Sequence, residues 1–185
     1  MAGIIILPGI GGSGNEHWQS RWEAEGNAFS RFAPTSWDEP QLDDWISALD
    51  AAVMQAEAPP VLVAHSLACL LVAHWQAGSK RAVAGAMLVA VPDPDGPDFP
   101  REAASFANPP TEPFRFPSIL IASSNDPYAT PDYSRRRARQ WGSQLVEAGD
   151  RGHINAGSGL GDWGEGRAML GDFMTKLPQT RARFG

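Results

Sequence analysis

The sequence predicts a single-domain α/β fold in which helices cover both faces of a mostly parallel, six-stranded sheet. Short, continuously apolar runs alternate with amphipathic stretches along the chain. Such runs are typical of parallel strands that are buried on both faces and joined by right-handed crossovers through helices. The chain has 185 residues, which is enough for one domain with a substantial core, and no internal repeat divides it.

The first part of the chain predicts two strands and two helices. Residues 3–7 read as a buried strand and lead into a glycine-rich loop at 8–14. A helix is predicted at 16–25 and a weaker strand at 28–33. The segment 41–56 is amphipathic, because its apolar residues share one helical face and its aspartates lie off that face. The apolar face consists of Leu42, Trp45, Ile46, Leu49 and Val53.

The rest of the chain continues the alternation of strands and helices. Strands are predicted at 61–65, 83–91, 118–122 and 144–147, and helices from Ser66 onward, at 135–141 and at 164–177. An irregular segment at 92–117 interrupts this pattern, and loops of that length are usually functional or disordered. It is too short to form a domain of its own. We therefore predict one domain over 1–178, followed by a C-terminal tail at 179–185.

A serine marks the junction between the third predicted strand and the helix after it. Ser66 has Ala64 and Ala68 two positions to either side. In a nucleophile elbow the chain turns sharply from strand to helix with the serine at the tip, and small residues at these two positions let strand and helix approach closely. Glycine is usual there, so the two alanines are a departure. The alternative is a buried strand–helix junction whose serine takes no part in chemistry.

An aspartate and a histidine follow the serine at positions where strands end. Asp126 comes just after the strand at 118–122, and His153 comes in a glycine-rich loop after the last strand. Ser, Asp, His is the chain order of the α/β-hydrolase triad. In that arrangement Ser66 is the nucleophile, His153 its general base and Asp126 the group that orients the base. Asp126 could instead form an Asx turn with Pro127.

Other acidic residues and histidines compete for these roles. Asp132 is near, but it is placed to begin a helix, and Asp150 lies only three residues before the candidate base. His65 precedes the serine on its strand, so its side chain should point to the opposite side. His74 lies on the helix after the serine and is expected to pack there. His17 follows the first loop and is given a supporting role at most.

Two backbone N–H groups are candidates for the oxyanion hole. Leu67 begins the helix after the serine, where the first N–H groups are free, and Ile10 lies in the glycine-rich loop after the first strand. The alternative for the loop is an ordinary glycine turn. Its glycines resemble a phosphate loop only superficially, because Gly-Lys-Ser/Thr is absent, and they fit a dinucleotide-binding fingerprint poorly.

The irregular segment supplies the candidate substrate-binding residues. Phe99, Phe106, Phe114 and Phe116 are predicted to line an apolar acyl pocket, and the alternative is that they cover the edge of the sheet.

The composition of the chain limits which partners and cofactors are expected. The net charge of −6 disfavours a nucleic acid or an anionic membrane as the main partner. The one cysteine, Cys69, allows no internal disulfide and gives no hint of a zinc cluster. No run resembles a signal peptide or reaches membrane-spanning length. These observations predict a cytoplasmic protein that acts on a small molecule without a metal or an organic cofactor.

Short sequence motifs, here called blocks, occur in order along nearly the whole chain. They are Pro8-Gly9 with Ser13 and His17-Trp18, Trp37-Asp38-Glu39-Pro40 with Trp45, Ala64-His65-Ser66-Leu67-Ala68-Cys69, Asn125-Asp126-Pro127-Tyr128, and Gly152-His153-Ile154-Asn155 with Gly159 and Trp163. These blocks resemble those of the retinoblastoma-binding-protein-9-like serine hydrolases. The resemblance implies a cap-less α/β-hydrolase fold with strand order 2-1-3-4-5-6, and the same three catalytic residues. Ala68 stands where that family commonly has glycine.

The motifs and the resemblance together predict a small serine hydrolase. It is expected to cleave carboxylic esters, with amides as a further class, through an acyl-enzyme formed on Ser66. The alternative is a protein-binding module that retains a hydrolase scaffold, since fold alone does not determine function.

Overall fold

In the described part of the chain, six strands and five helices follow one another in the predicted alternation. The computed structural model describes residues 3–26 and 28–178, and the predicted tail at 179–185 lies outside the described residues. The strands are β1 (Ile4–Leu7), β2 (Phe29–Arg31), β3 (Val61–His65), β4 (Gly85–Val89), β5 (Ser118–Ala122) and β6 (Gln144–Glu147). The helices are α1 (Trp18–Glu23), α2 (Leu42–Gln55), α3 (Leu67–Gly78), α4 (Pro131–Trp141) and α5 (Gly164–Thr175). Short 3₁₀ helices occupy Arg101–Phe106 and Ala156–Ser158.

The strands form one sheet in the order β2-β1-β3-β4-β5-β6. Every neighbouring pair is parallel, so the sheet is wholly rather than mostly parallel. The predicted fold class is confirmed. Because all six strands run the same way, the loops that follow them meet at one edge of the sheet, which is where open α/β sheets place their ligands.

Each face of the sheet has its own apolar core. Helices α2, α3 and α4 cover one face, with Trp45, Leu71 and Trp141 among the buried residues there. Helices α1 and α5 cover the other, with Trp22 and Phe173 among the buried residues. The sheet residues that face these two cores are almost all Ile, Val, Leu or Ala, which explains the lack of polar alternation in the strand sequences.

The largest shift in a helix boundary is at α4, which begins at Pro131 rather than at 135. Thr130 is its N-cap, and the Thr130 hydroxyl accepts a hydrogen bond from the Tyr133 N–H at 3.2 Å. Proline is favoured in the first turn because its fixed φ suits a helix and its missing N–H would be unpaired there. Asp132 therefore belongs to the first turn of this helix, as its position predicts.

None of the helices within residues 3–26 and 28–178 is both long enough and apolar enough to cross a bilayer.

Candidate active site

Ser66 occupies a sharp turn between β3 and α3. Its backbone has φ 56° and ψ −126°, a conformation that L-residues rarely adopt and that costs about 1–3 kcal/mol. The Ser66 N–H donates to the Val89 carbonyl at 2.9 Å, which ties the turn to the end of β4. Ala64 and Ala68 are both fully buried at the junction. The chain thus makes the strained strand–helix turn with alanine at both flanking positions.

The loop after β1 lies directly against this turn. A methyl group added at Gly9 would come within 3.0 Å of Ser66 Cβ and 3.2 Å of the His65 carbonyl oxygen. Both of those neighbours are held by the turn and have little room to move. A larger side chain at position 9 would therefore crowd the turn and push the loop away from the serine by a few tenths of an ångström.

The structure brings the three predicted triad residues together. His153 Nε2 lies 2.8 Å from Ser66 Oγ, and His153 Nδ1 lies 2.9 Å and 3.0 Å from the two carboxylate oxygens of Asp126. The carboxylate accepts the Nδ1–H, so in the neutral imidazole Nε2 is the acceptor for the serine hydroxyl proton. The side chains of His153 and Asp126 are 9% and 3% exposed, so water competes little with either contact.

Asp126 also makes the Asx turn that was considered as an alternative. Its Oδ1 accepts a hydrogen bond from the Tyr128 N–H at 2.9 Å. The turn and the contact with His153 are compatible, because one carboxylate has enough lone pairs for both. Asp150, the competing carboxylate, instead accepts from the Ser124 hydroxyl at 2.6 Å. Asp126 is thus the carboxylate that contacts the candidate base.

The loop that carries His153 is held by long-range hydrogen bonds. The Gly152 N–H donates to Asn125 Oδ1 at 2.7 Å, next to Asp126 in the chain. On its other side, Trp18 Nε1–H donates to the Ile154 carbonyl at 2.8 Å. These two bonds fix the backbone immediately before and after the candidate base.

His65 was expected to face away from the site, and that expectation is wrong. Its Nε2 lies 2.9 Å from the His153 carbonyl oxygen, and the two rings lie 5.0 Å apart. A carbonyl only accepts, so His65 carries its proton on Nε2 and donates. Burial is the main cause that lowers the pKa of His65 well below its usual value, followed by His153 and His17, so the ring is neutral. The strand pattern misses this contact because the loop after β6 crosses the face on which His65 lies.

His17 also lies at the site. It is the N-cap of α1, and its Nδ1 accepts the Gln19 N–H at 3.2 Å. Its ring packs 4.7 Å from the His65 ring. Burial lowers the pKa of His17 to about 4, with further lowering by Arg31 and His153.

Sequence reasoning did not identify Gln19, which is fully buried beside the site. Its amide Nε2–H₂ donates to the Leu7 carbonyl at 3.2 Å and to the Val63 carbonyl at 3.1 Å. Its Oε1 accepts from the Ser13 hydroxyl at 2.7 Å. One side chain therefore connects β1, β3 and the glycine-rich loop. In the sequence, Gln19 stands out only as a polar residue on the apolar side of a predicted helix.

The two predicted oxyanion donors lie beside Ser66. Ile10 and Leu67 both line the cavity that contains the serine, and a methyl group at Gly9 would lie 3.5 Å from the Leu67 nitrogen. Within the described ranges, neither N–H makes a hydrogen bond to the protein. Neither group is therefore committed to a partner within the described protein.

A cavity of about 440 Å³ opens at this edge of the sheet and includes Ser66 and His153 in its wall. Its volume lies in the range typical of small-molecule sites. The part of the chain that the structure describes holds no group of three or more His, Cys, Asp or Glu side chains arranged for a metal ion.

Only one of the four phenylalanines predicted for the substrate site, Phe99, lines this cavity. Phe106 is fully buried and packs edge-on against Trp45, with ring centroids 5.3 Å apart. Phe114 and Phe116 stack on each other at 5.2 Å and pack against the core on the α2–α4 face. The prediction is therefore corrected for these three residues: the 3₁₀ turn directs Phe106 inward, and the other two help to cover the sheet.

Acid is expected to destabilise the protein through its buried histidines. His17 has a pKa of about 4 in the folded protein against an ordinary 6.5, and the pKa of His65 is also lowered. Between about pH 4 and pH 6.5 these histidines bind protons in the unfolded chain but not in the folded protein, so the free energy of unfolding falls as the pH falls. Urea titrations at pH 7 and pH 5 measure this change.

The matched variant for that measurement is His17→Asn, which removes the buried His17 imidazole. The variant should take up about one proton fewer on unfolding in this pH range, so its unfolding free energy should change less with pH. A dependence that is the same in both proteins would contradict a neutral, buried His17.

The chain matches a known protein family over most of its length. A model of the family described as serine hydrolase matches residues 4–172. The chain belongs to the serine hydrolase family. It is therefore an enzyme, and the alternative of a binding module on a hydrolase scaffold is set aside.

Solved structures agree with this assignment. A YdeN-like hydrolase from Pectobacterium atrosepticum is 30% identical to this serine hydrolase, with a TM-score of 0.85 and coverage of 96% of this chain and 94% of the other. The ydeN gene product of B. subtilis is 21% identical, with a TM-score of 0.79 and coverage of 95% and 100%. The esterase RhEst1 from Rhodococcus sp. ECU1013 is 14% identical, with a TM-score of 0.69 and coverage of 96% and 91%. The last two likenesses show the fold alone. Among curated proteins there is no match.

Proposed function

We propose that this serine hydrolase cleaves carboxylic esters through an acyl-enzyme on Ser66, with His153 as general base and Asp126 as the group that orients it. The observation that carries the proposal is the continuous hydrogen-bonded chain from Ser66 Oγ through the His153 ring to the Asp126 carboxylate. A nucleophile and a base in hydrogen-bond contact, with the base held by a third group, is the arrangement that activates a serine.

In the first half of the reaction Ser66 Oγ attacks the ester carbonyl carbon while His153 Nε2 takes the hydroxyl proton. The carbonyl oxygen becomes an oxyanion, and the Ile10 and Leu67 N–H groups donate to it. Collapse of the tetrahedral intermediate breaks the bond to the alcohol, and the imidazolium returns the proton to the departing oxygen. Asp126 stabilises the imidazolium that forms in between.

In the second half water takes the place of the alcohol. His153 removes a proton from water as it attacks the acyl carbonyl carbon, and the same two N–H groups hold the oxyanion. Breaking the bond to Ser66 Oγ releases the carboxylic acid and returns the proton to the serine. The cycle needs no group beyond the side chains, the two backbone N–H groups and water.

A fluorophosphonate probe tests the proposal, because it reacts covalently with an activated serine. Modification should map to Ser66 in the native protein. A protein that is not modified, or is modified at a different residue, would contradict the proposed mechanism.

Short acyl chains are expected to be the best substrates. The cavity of about 440 Å³ has a small apolar wall, to which the irregular segment contributes Phe99 and two prolines, Pro92 and Pro100. We expect kcat/KM to be highest for aryl acetates and to fall as the acyl chain lengthens, since methylenes beyond the wall gain no contact. One methylene in an apolar pocket changes discrimination by about 1–3 kcal/mol.

The measurement is a series of p-nitrophenyl esters from acetate to decanoate, which share one leaving group. A maximum of kcat/KM at long chains would show that the segment 92–117 forms a deep acyl tunnel, contrary to this proposal.

We also propose, from the sequence, a narrower family group, a cellular location and a substrate class. The motif blocks support membership of the retinoblastoma-binding-protein-9-like group within the serine hydrolases. The composition supports a cytoplasmic location and a small-molecule ester or amide as the substrate, with no nucleic-acid partner.

A further inference from the structure

Two consecutive residues at the end of β3 contact the proposed base. Ser66 Oγ lies 2.8 Å from His153 Nε2, and the Nε2–H of His65 donates to the His153 backbone carbonyl at 2.9 Å. The base is therefore held at its side chain by one residue and at its backbone by the residue before it. Because a single peptide bond joins these two residues, a very short stretch of chain sets the distance between the nucleophile and the backbone of the base.

His65 is a rigid anchor for this contact. It is 4% exposed and ends β3, which pairs with β1 on one side and with β4 on the other. Its ring packs against the rings of His17 and Trp18, with centroids 4.7 Å and 6.0 Å away. Burial lowers the pKa of His65 well below its usual value, so the ring stays neutral.

The loop that carries His153 needs such an anchor. It follows β6, which lies at the edge of the sheet, pairs with β5 and is only partly buried. The residues on either side of the base both have positive φ, 56° at Gly152 and 48° at Ile154. A positive φ is an outlier for a β-branched residue, and strained backbone persists only where the surrounding structure holds it.

Each residue of this strained stretch is held by a bond from another part of the fold. Side chains from elsewhere in the chain bond the backbone of Gly152 and of Ile154. Within the described ranges, the bond from His65 is the one hydrogen bond that the backbone of His153 makes. Its loss would release the backbone of the base itself, even with the neighbouring bonds in place.

His65 takes no part in the proton transfer. The two ring nitrogens of His153 contact Ser66 and Asp126, so the path of the proton is complete without a further residue. The Nε2–H of His65 is committed to the carbonyl. What His65 supplies is the position of the neighbouring imidazole.

We propose that His65 is a positioning residue, whose hydrogen bond to the His153 carbonyl keeps the imidazole within reach of both Ser66 Oγ and the Asp126 carboxylate. This inference rests on the proposed ester hydrolysis. A reacting group that is misplaced by about 1 Å can lose about a hundredfold in rate, so a bond that fixes the backbone of the base has a kinetic effect.

The test removes the donor at position 65 and then restores it. His65→Leu cannot donate, and His65→Asn, whose amide is too short to reach the carbonyl, is the second variant should the first fail to fold. His65→Gln is the conservative variant, because its amide nitrogen lies at a similar distance from the backbone as Nε2 of histidine. The measurements are kcat and KM for p-nitrophenyl acetate, with far-UV circular dichroism to check the fold.

His65→Leu is expected to lower kcat by about 10- to 100-fold, and His65→Gln to stay within a few-fold of the native value. KM should change little, because His153 is the base in both halves of the reaction and slowing both alike leaves the ratio of their rates unchanged. A rise in KM with native kcat would mean that His65, which lines the cavity, acts by touching the substrate, and would overturn the inference.

A protein without the base separates positioning from a general structural role. In His153→Ala, the activity that remains from the oxyanion hole and from binding cannot depend on where an imidazole lies. Adding His65→Leu to His153→Ala should therefore cause little further loss, since the two residues act as one unit.

His74→Leu is the matched control. The Nε2 of His74 also contacts a backbone carbonyl, that of Phe106 at 3.1 Å, but His74 lies outside the cavity wall and makes no bond to the base. This variant should lose stability and keep kcat near its native value.

Native kcat in His65→Leu, equal losses in His65→Leu and His74→Leu, or no recovery in His65→Gln would each overturn the inference. So would an undiminished loss when His65→Leu is added to His153→Ala. In all these cases a native protein that hydrolyses the ester and is labelled at Ser66 by a fluorophosphonate would leave the proposed function standing. A native protein that is neither labelled nor active would instead overturn the proposed function, and the inference with it.

Discussion

Ser66→Ala is expected to lower kcat for p-nitrophenyl acetate by about 10⁵- to 10⁶-fold, the loss typical of removing a serine nucleophile. The remaining His153 has no hydroxyl to activate at 2.8 Å, and no acyl-enzyme can form. The fold should survive, because alanine adopts the backbone conformation of residue 66 at about the same cost as serine. Rate measurements, far-UV circular dichroism and fluorophosphonate labelling check these expectations together.

Ser124→Ala is the matched control for that variant. Ser124 lies near the site in the chain, but its hydroxyl is exposed and donates to Asp150. Its loss should leave labelling and turnover near their native values. Labelling that persists in Ser66→Ala would show that another residue is the nucleophile.

Asp126→Asn is expected to lower kcat by about 10⁴-fold, as loss of the carboxylate does in a serine triad. An amide NH₂ facing His153 Nδ1 favours the tautomer with its proton on Nε2, which cannot accept the Ser66 proton. The substitution is close to isosteric, and asparagine Oδ1 can still accept the Tyr128 N–H that now bonds the carboxylate at 2.9 Å. The turn is therefore kept, and kcat against pH reports the change in the base.

Asp150→Asn separates this effect from a general loss of negative charge near His153. Asp150 contacts Ser124 rather than the imidazole, so its variant should stay within a few-fold of the native rate. A loss of similar size in both variants, or a small loss in Asp126→Asn, would mean that Asp126 does not orient the base.

The sheet was predictable because its strands carry a local signal. Ile4–Leu7 and Val61–His65 are buried along their whole length, and a parallel strand covered on both faces needs an unbroken apolar run. The proximity of Ser66, Asp126 and His153 was also predictable, since each follows a strand and the ends of parallel strands meet at one edge.

The contacts that support the candidate site could not be predicted in the same way. Trp18 bonds the carbonyl of Ile154, a residue 136 positions away, and His65 bonds His153 across 88 positions. No periodicity along the chain encodes such pairs. Gln19 is similar, because its partners are backbone carbonyls of two strands that become neighbours only when the sheet forms.

The position of β6 has a consequence for how the enzyme loses activity. This strand lies at the edge of the sheet and is only partly buried, whereas β3, which leads to Ser66, lies inside the sheet and is fully buried. Edge elements with few buried contacts open at lower free energy than the centre of a domain, as their amide hydrogen exchange reveals. A transient opening of β6 would carry the His153 loop away while Ser66 stayed in place. We therefore expect catalytic competence to be lost at a lower free energy than the folded state, with the bonds from Gly152 to Asn125 and from Trp18 to Ile154 opposing that loss.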